Sequence, residues 1–213
     1  MKAVLLDNDG VLADTEGLYF RACRDTLREE GLDLTLEEFQ DVSLRQGRST
    51  IDLKAGASRP PAELLKLKRR RDERYLDLIV REGRAREGAA ELLEGLYGRA
   101  ALAVVTASPR VHFEAMHRRT GFLRRFEFTL TQEDCPASKP SPAPYLQALR
   151  RGDWKAEECV VVEDTVRGLA SARAAGIRCY AVPYGPSVGG DFTGAEAVLP
   201  DLAALRDALL ALL

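Results

Sequence analysis

An α/β fold, a doubly wound parallel sheet interrupted by a helical insert, is what this 213-residue sequence predicts. Two observations carry the prediction. Short valine-rich runs at Ala3–Leu6, Ala101–Val105 and 159–162 are continuously apolar, the pattern of strands buried on both faces. Helical periodicity separates these runs, and from about residue 14 to 84 it is the only periodicity present.

The first run ends at Asp7, with Asp9 two residues on and Gly10 next. In extended chain the two carboxylates point to one side. Like charges so placed repel unless a cation, a proton or a bound substrate relieves them. The bland alternative is an Asp-Gly turn that closes a strand. The segment 14–84 follows, far longer than an ordinary strand-to-helix loop. Within it Thr35 and Glu38 fit a capping box, and Pro60-Pro61 lead into a helix. The charged run 66–74 reads as a solvated helix face carrying Lys68/Asp72 and Arg69/Glu73 pairs.

Residues 87–97 read as a helix with Leu92, Leu93 and Leu96 on one face. The second strand run ends at Thr106, with Ser108 close behind, either of which could simply cap the next helix. The last of the three runs ends at Glu163-Asp164, a possible N-cap pair for the helix that Gly176 stops; a further strand is expected over 178–182. Lys139, in Ser-Lys-Pro, is of a residue type usually solvated, and Ser141-Pro142 suits a helix start. In a doubly wound sheet, ligands bind beyond the carboxyl ends of the strands, so the polar groups ending the three runs converge on one crevice.

Composition excludes several functions. Lysine and arginine number 31 against 33 acidic residues, a formal charge of −2 that favours neither nucleic acid nor anionic membrane. No apolar run approaches the ~18 residues of a membrane span, and the start lacks a signal-peptide core, so a cytoplasmic protein is expected. Cys23, Cys135, Cys159 and Cys179 form no CxxC pair and read as reduced thiols. His112 and His117, five apart, are poorly spaced for zinc. No apolar stripe predicts a stable oligomer, so a monomer or weak dimer is expected.

The segments DNDGVLADT, VVTAS, SKPSPAPY and VVVEDT resemble, in order, the four motifs of the haloacid dehalogenase superfamily, in the subfamily with a helical cap after the first strand. The resemblance covers nearly the whole chain. It implies a Rossmann-like phosphotransferase core over 1–13 and 85–213 and a helical cap domain over 14–84. It makes Asp7 the nucleophile and Asp9 the general acid. It makes Lys139 the cation on the nucleophile and phosphoryl group. Thr106, the Ala107 backbone and Ser108 become phosphoryl donors. Mg²⁺ would be held by Asp7, the Asp9 carbonyl, Asp164 and Glu163. In the cap it points to Arg48 and Arg71 as substrate contacts.

The activity implied is Mg²⁺-dependent hydrolysis of a small phosphate monoester, of sugar-phosphate or phosphoglycolate type, through an aspartyl-phosphate. A β-phosphoglucomutase-like mutase and a non-catalytic binder of phosphometabolites are the alternatives. Tyr19 stands where the mutase members carry histidine, which favours hydrolysis. The chain also departs from the pattern at Arg86-Glu87-Gly88, where proline commonly precedes the glycine, and at Ala143, where aspartate is usual.

Overall fold

The computed structural model describes residues 1–213. Six strands form one parallel sheet: β1 (Ala3–Leu6), β2 (Ala101–Val105), β3 (Phe128–Leu130), β4 (Cys159–Glu163), β5 (Arg178–Ala181) and β6 (Ala197–Val198). Their spatial order is β3-β2-β1-β4-β5-β6. Helices α1 (Glu16–Arg28), α2 (Leu36–Phe39, continued by a π-helical turn over Gln40–Arg45), α3 (Thr50–Ala55), α4 (Pro61–Glu82) and α5 (Ala89–Leu96) lie between β1 and β2. Among the later strands come α6 (Arg110–His117), α7 (Ala143–Gly152), α8 (Val166–Ala174) and α9 (Leu202–Leu210).

Every residue of β1 is 0 % exposed, as a strand bonded on both edges and covered on both faces must be. Side chains alternate along it. Val4 and Leu6 enter a cluster with Leu92, Leu93 and Leu96 of α5 and Leu205 and Leu209 of α9, whereas Ala3 and Leu5 pack with Tyr145 of α7 and Leu169 of α8. Carried one residue past the strand, the alternation puts Asp7 on the α7/α8 face and Asn8 on the opposite one. Register does the rest. Leu6 lies level with Val104 and with Val162, so Asp7, Val105 and Glu163 come to the same height at the strand ends. The chain moves outward from β1 to β2 and β3, then crosses to β4 and moves outward again, so β1 and β4 flank the switch point.

Strands β3 and β6, absent from the sequence reading, are the two short edge strands. They are only partly buried, and so lack the continuous apolar run that marks the others. The expected helix over 87–97 is α5, and the strand expected over 178–182 is β5.

Helices α1–α4 carry an apolar cluster of their own around Leu27, Phe39 and Ile51. Thr35 Oγ1 accepts from the Glu38 backbone N–H at 3.2 Å while the Glu38 carboxylate accepts from Thr35 N–H at 2.9 Å, the expected box. A second cluster joins Leu18, Tyr75 and Ile79 to Met116 of α6, which seats these helices over the strand ends. The two segments leading into and out of the helices are tied to each other. Asp14 N–H donates to Arg84 O at 2.9 Å, and Arg86 N–H donates to Leu12 O at 3.0 Å.

The pairs expected along α4 do not form. Lys68 reaches Asp52 of α3 at 2.7 Å, and Arg70 and Arg74 reach Glu29 at the end of α1, with Glu30 also 2.7 Å from Arg70. Neighbouring helices offer acids nearer than those one turn away on α4. Such exposed pairs contribute about 1 kcal/mol or less each. Burial weighs far more: Leu93→Ala is expected to cost about 2–5 kcal/mol, read as a lowered urea midpoint at unchanged slope.

Candidate active site

Asp7, Glu163 and Asp164 stand at the ends of β1 and β4 with a ligand atom from each inside 4.8 Å of the others. All three are buried. Three carboxylates so close require countercharge, and the Lys139 ammonium supplies part of it. Its Nζ lies 2.9 Å from Asp7 Oδ1 and 2.6 Å from Glu163 Oε1, and it donates to Val105 O at 2.8 Å. The approach to Asp7 is an ion pair at an angle too poor for a hydrogen bond. Lys139 is therefore not a solvated lysine: it is 3 % exposed. Burial pulls the ammonium down, but Asp7 and Glu163 outweigh it, so the group stays charged.

Glu163 is held from three sides. Tyr145 Oη donates to its Oε1 at 2.5 Å, and Thr165 Oγ1 donates to Oε2 at 3.3 Å, beside the lysine. Helix α8 approaches so closely that a Cβ on Gly168 would fall 1.9 Å from Glu163 Oε2. The residue that caps α8 is Thr165, whose hydroxyl accepts from Gly168 N–H at 3.2 Å. Glu163 and Asp164 are thus free of capping duty. Asp164 Oδ2 accepts from Ser187 Oγ at 3.0 Å, while its Oδ1 is buried with no partner. Gly10, at φ +76°, turns the chain tightly against it; a Cβ there would stand 2.0 Å from Asp164 Oδ2.

Burial, with the charges of Glu16 and Asp7, drives the Asp164 carboxyl far above its ordinary range. Asp7 is also pushed up by burial and by Glu163, with Lys139 opposing. A cluster of hard oxygen donors with an orphaned buried Asp164 oxygen and excess negative charge fits a divalent cation. Asp7 and Asp164 are the side chains best able to hold it.

Asp9 is surrounded by hydroxyls. Thr15 and Ser108 each donate at 2.6 Å, Tyr75 of α4 at 3.2 Å and Thr106 at 3.3 Å. Ser108 does not cap α6, because its hydroxyl is committed to Asp9. To protonate a leaving oxygen, Asp9 must exchange part of this shell for substrate.

A cavity of about 360 Å³ opens between the strand ends and α1–α4. Asp7, Asp9, Thr106, Ala107 and Ser108 line it from the strand ends, and Arg48 and Arg71 line it from the helical insert. Lys139, Glu163 and Asp164 sit beneath it. Arg71 bonds Asp72 at 2.7 Å and lies over the Tyr19 ring, 5.4 Å from its centroid. Sequence reasoning missed Thr15, Glu16, Tyr75, Tyr145 and Arg167. Thr15 closes the first motif and Glu16 directly follows it, and Tyr145 belongs to the third; Tyr75 and Arg167 carry no local signal. Glu16 lines the cavity, 7 % exposed, with Oε2 unpartnered. Burial, with the Asp9 charge next, pushes its carboxyl up to about 8.

The haloacid dehalogenase-like hydrolase family model matches residues 4–182. The chain belongs to that family. It is 31 % identical to protein CbbY of Rhodobacter capsulatus over 96 % of this chain and 95 % of that one. It is 30 % identical to phosphoglycolate phosphatase of Nitrosospira multiformis over 95 % of this chain and 92 % of that one. Among solved structures, a mutant CbbY from Rhodobacter sphaeroides in complex with xylulose-(1,5)bisphosphate superposes with a TM-score of 0.83 at 29 % identity, covering 96 % of each chain. No helix of this chain is long and apolar enough to cross a membrane.

Two outcomes follow from the buried acids. The folded protein holds a proton on Glu16 that the unfolded chain releases above about 4.5, so this contribution to stability is lost as pH rises through about 8. In chelator, the melting temperature is expected to fall between pH 5 and 8.5, and Glu16→Gln is expected to flatten part of that fall. A divalent cation at pH 8 is expected to raise the melting temperature, by about 2.7 kcal/mol of stability at a hundredfold excess over Kd. Asp164→Asn should abolish that rise, measured by scanning fluorimetry with Mg²⁺ and with chelator.

Proposed function

We propose that the protein is a Mg²⁺-dependent phosphatase that hydrolyses a small organic phosphate monoester, of sugar-phosphate or phosphoglycolate type, through an aspartyl-phosphate on Asp7. The observation that carries the reading is the pairing of a buried, lysine-matched Asp7 with a second carboxylate, Asp9, at the mouth of one cavity. Relatives named as phosphatases support it.

Asp7 forms a P–O bond to the phosphoryl group as the ester P–O bond breaks, and Asp9 gives the leaving alcohol its proton. Water then attacks the acyl phosphate, passing its proton to the Asp9 carboxylate, and inorganic phosphate leaves with Asp7 restored. Lys139 favours the ionised form of Asp7 against the effect of burial and offers positive charge to the phosphoryl oxygens. The Ala107 N–H and the hydroxyls of Thr106 and Ser108 orient them. Asp7, Asp164 and the Asp9 carbonyl, with Glu163 close by, would hold Mg²⁺, which would supply charge neutralisation and polarisation of the phosphoryl group.

Residues 14–84 act as a cap that excludes bulk water and sets specificity, and Tyr75 is a direct link between it and Asp9. Arg48 and Arg71 line the wall facing the alcohol part of the substrate. Tyr19 packs against Phe39 and Tyr75 and is half-buried, with no imidazole in its place, which favours transfer to water over return to product.

Phosphate release from a panel of monoesters tests the reading. Asp7→Asn is expected to lower release at least ~10⁴-fold, the scale seen when a nucleophile is removed. Lys139→Met is expected to lower stability by about 3–5 kcal/mol as well as activity, because it leaves two buried carboxylates without their cation. Release unchanged in Asp7→Asn would refute the nucleophile, and isomerised sugar phosphate without release would establish the mutase.

A further inference from the structure

Asp164 has one oxygen open and the other fixed. Its Oδ1 is buried without a partner, and its Oδ2 meets the Ser187 hydroxyl at 3.0 Å. Ser187 comes from the loop after β5, which has little of its own to hold its shape. Residues 184–190 read Tyr-Gly-Pro-Ser-Val-Gly-Gly, with Gly185 at φ +52°, Gly189 at φ +85° and Val188 62 % exposed. Glycines so placed leave an unheld chain many conformations. The placement of Ser187 therefore depends on anchors outside the loop.

Two such anchors are present. From the core, the buried Arg86 donates from Nη1 to Val182 O at 2.9 Å and lies over the Tyr184 ring, 4.5 Å from its centroid. The second anchor comes from the helical insert, where Gln40 Nε2 donates to Pro186 O at 2.8 Å. Gln40 opens the π-helical turn whose Ser43 and Leu44 line the cavity, while Gln40 itself faces the core loop. Turns of this kind are rare and recur at functional sites.

The Ser187 hydroxyl has one proton and two acceptors, Asp164 Oδ2 and, at 2.8 Å, Tyr184 O; its oxygen accepts from the Tyr184 N–H at 3.0 Å. Tyr184 belongs to the same turn and moves with Ser187, whereas Asp164 is fixed at the end of β4. A small shift of the loop thus loses the bond to Asp164 first. Resting on the Mg²⁺-dependent reading above, we propose that Gln40 and Ser187 are positioning residues for the metal site. Gln40 holds the Pro186 carbonyl, the loop so held keeps Ser187 on Asp164 Oδ2, and Oδ1 is left to the cation. A hydrogen bond that orients a ligating carboxylate is typically worth ten- to hundredfold in metal affinity. The coupling is reciprocal: a cation that favours this setting of Asp164 also favours contact between the π-helical turn and the core.

The test is Mg²⁺ binding to the full chain, measured by calorimetry at pH 8. Ser187→Ala is expected to weaken binding about tenfold or more, with Ser187→Thr recovering part of the loss. Gln40→Met keeps the side-chain length, removes the donor and is expected to weaken binding about threefold. The double variant should bind no more weakly than Ser187→Ala alone, because Gln40 acts through Ser187. In the wild type, Mg²⁺ is expected to slow backbone hydrogen exchange over residues 40–45, and Ser187→Ala to abolish that slowing, a response that a merely structural contact would not give. Melting temperatures in chelator within a few degrees of wild type separate loss of the contact from loss of the fold, and Gln40→Met carries the test alone if Ser187→Ala fails to fold. Unchanged Mg²⁺ affinity in Gln40→Met or in Ser187→Ala, or losses that add fully in the double variant, would overturn the proposal while the Mg²⁺-dependent reading stands. A wild type that binds no Mg²⁺ would refute that reading itself.

Discussion

One buried ammonium allows three carboxylates to occupy the middle of this molecule. Without Lys139, Asp7 and Glu163 would face each other across adjacent strands of a sheet whose centre is sealed from water. An isolated buried carboxylate costs several kcal/mol, and the usual escape is to take up a proton and lose nucleophilicity. Lys139 works against that escape for Asp7 by favouring its ionised form, while burial and Glu163 push the other way. It does not remove it for Asp164, which keeps an unpartnered oxygen. The imbalance is what makes the cluster receptive to a cation. Stability and reactivity therefore depend on the same ion pair.

The sheet explains why these groups meet. A parallel strand buried on both faces must be continuously apolar, and the first polar residue beyond it falls at the sheet's end. Register between β1 and β4 then sets Asp7 level with Glu163, and the alternation of side chains turns Asp7 toward the face that carries Tyr145. Asn8, on the other parity, turns away and meets His117 Nε2 at 2.7 Å. Three backbone N–H groups, from Val11, Leu12 and Ala13, converge on the Asn8 carbonyl. The loop bearing both aspartates is thus pinned from below by its middle residue.

Legibility in the sequence tracks these causes. The runs that became β1, β2 and β4 were visible because burial on both faces leaves no room for alternation. β3 and β6 were not, since three- and two-residue strands at the sheet's edges need few apolar side chains. Asp7, Asp9, Lys139 and the Glu163-Asp164 pair stood out by their motifs, and the structure gathers them at one cavity. Tyr75 and Arg167 did not. A tyrosine in a 22-residue amphipathic helix looks like core until the fold lays its hydroxyl on Asp9. The charges of α4 misled for the same reason, because helix periodicity predicts partners one turn away and not those on a neighbouring helix.

The hinge-like tie between residues 12–14 and 84–86 has a further meaning. Because Asp14 bonds Arg84 and Leu12 bonds Arg86, the helical insert leaves and rejoins the sheet at almost one point. To the core, it is a closed loop whose ends are already together. The entropy of closing such a loop rises only with the logarithm of its length, so doubling the insert would cost about 0.6 kcal/mol. The sheet is accordingly almost indifferent to what is threaded between those two points. Natural variation can lengthen, shorten or replace the inserted helices with little penalty to the fold beneath. The inserted helices are then free to diverge while Asp7, Glu163 and Asp164 stay where the register of β1 and β4 puts them.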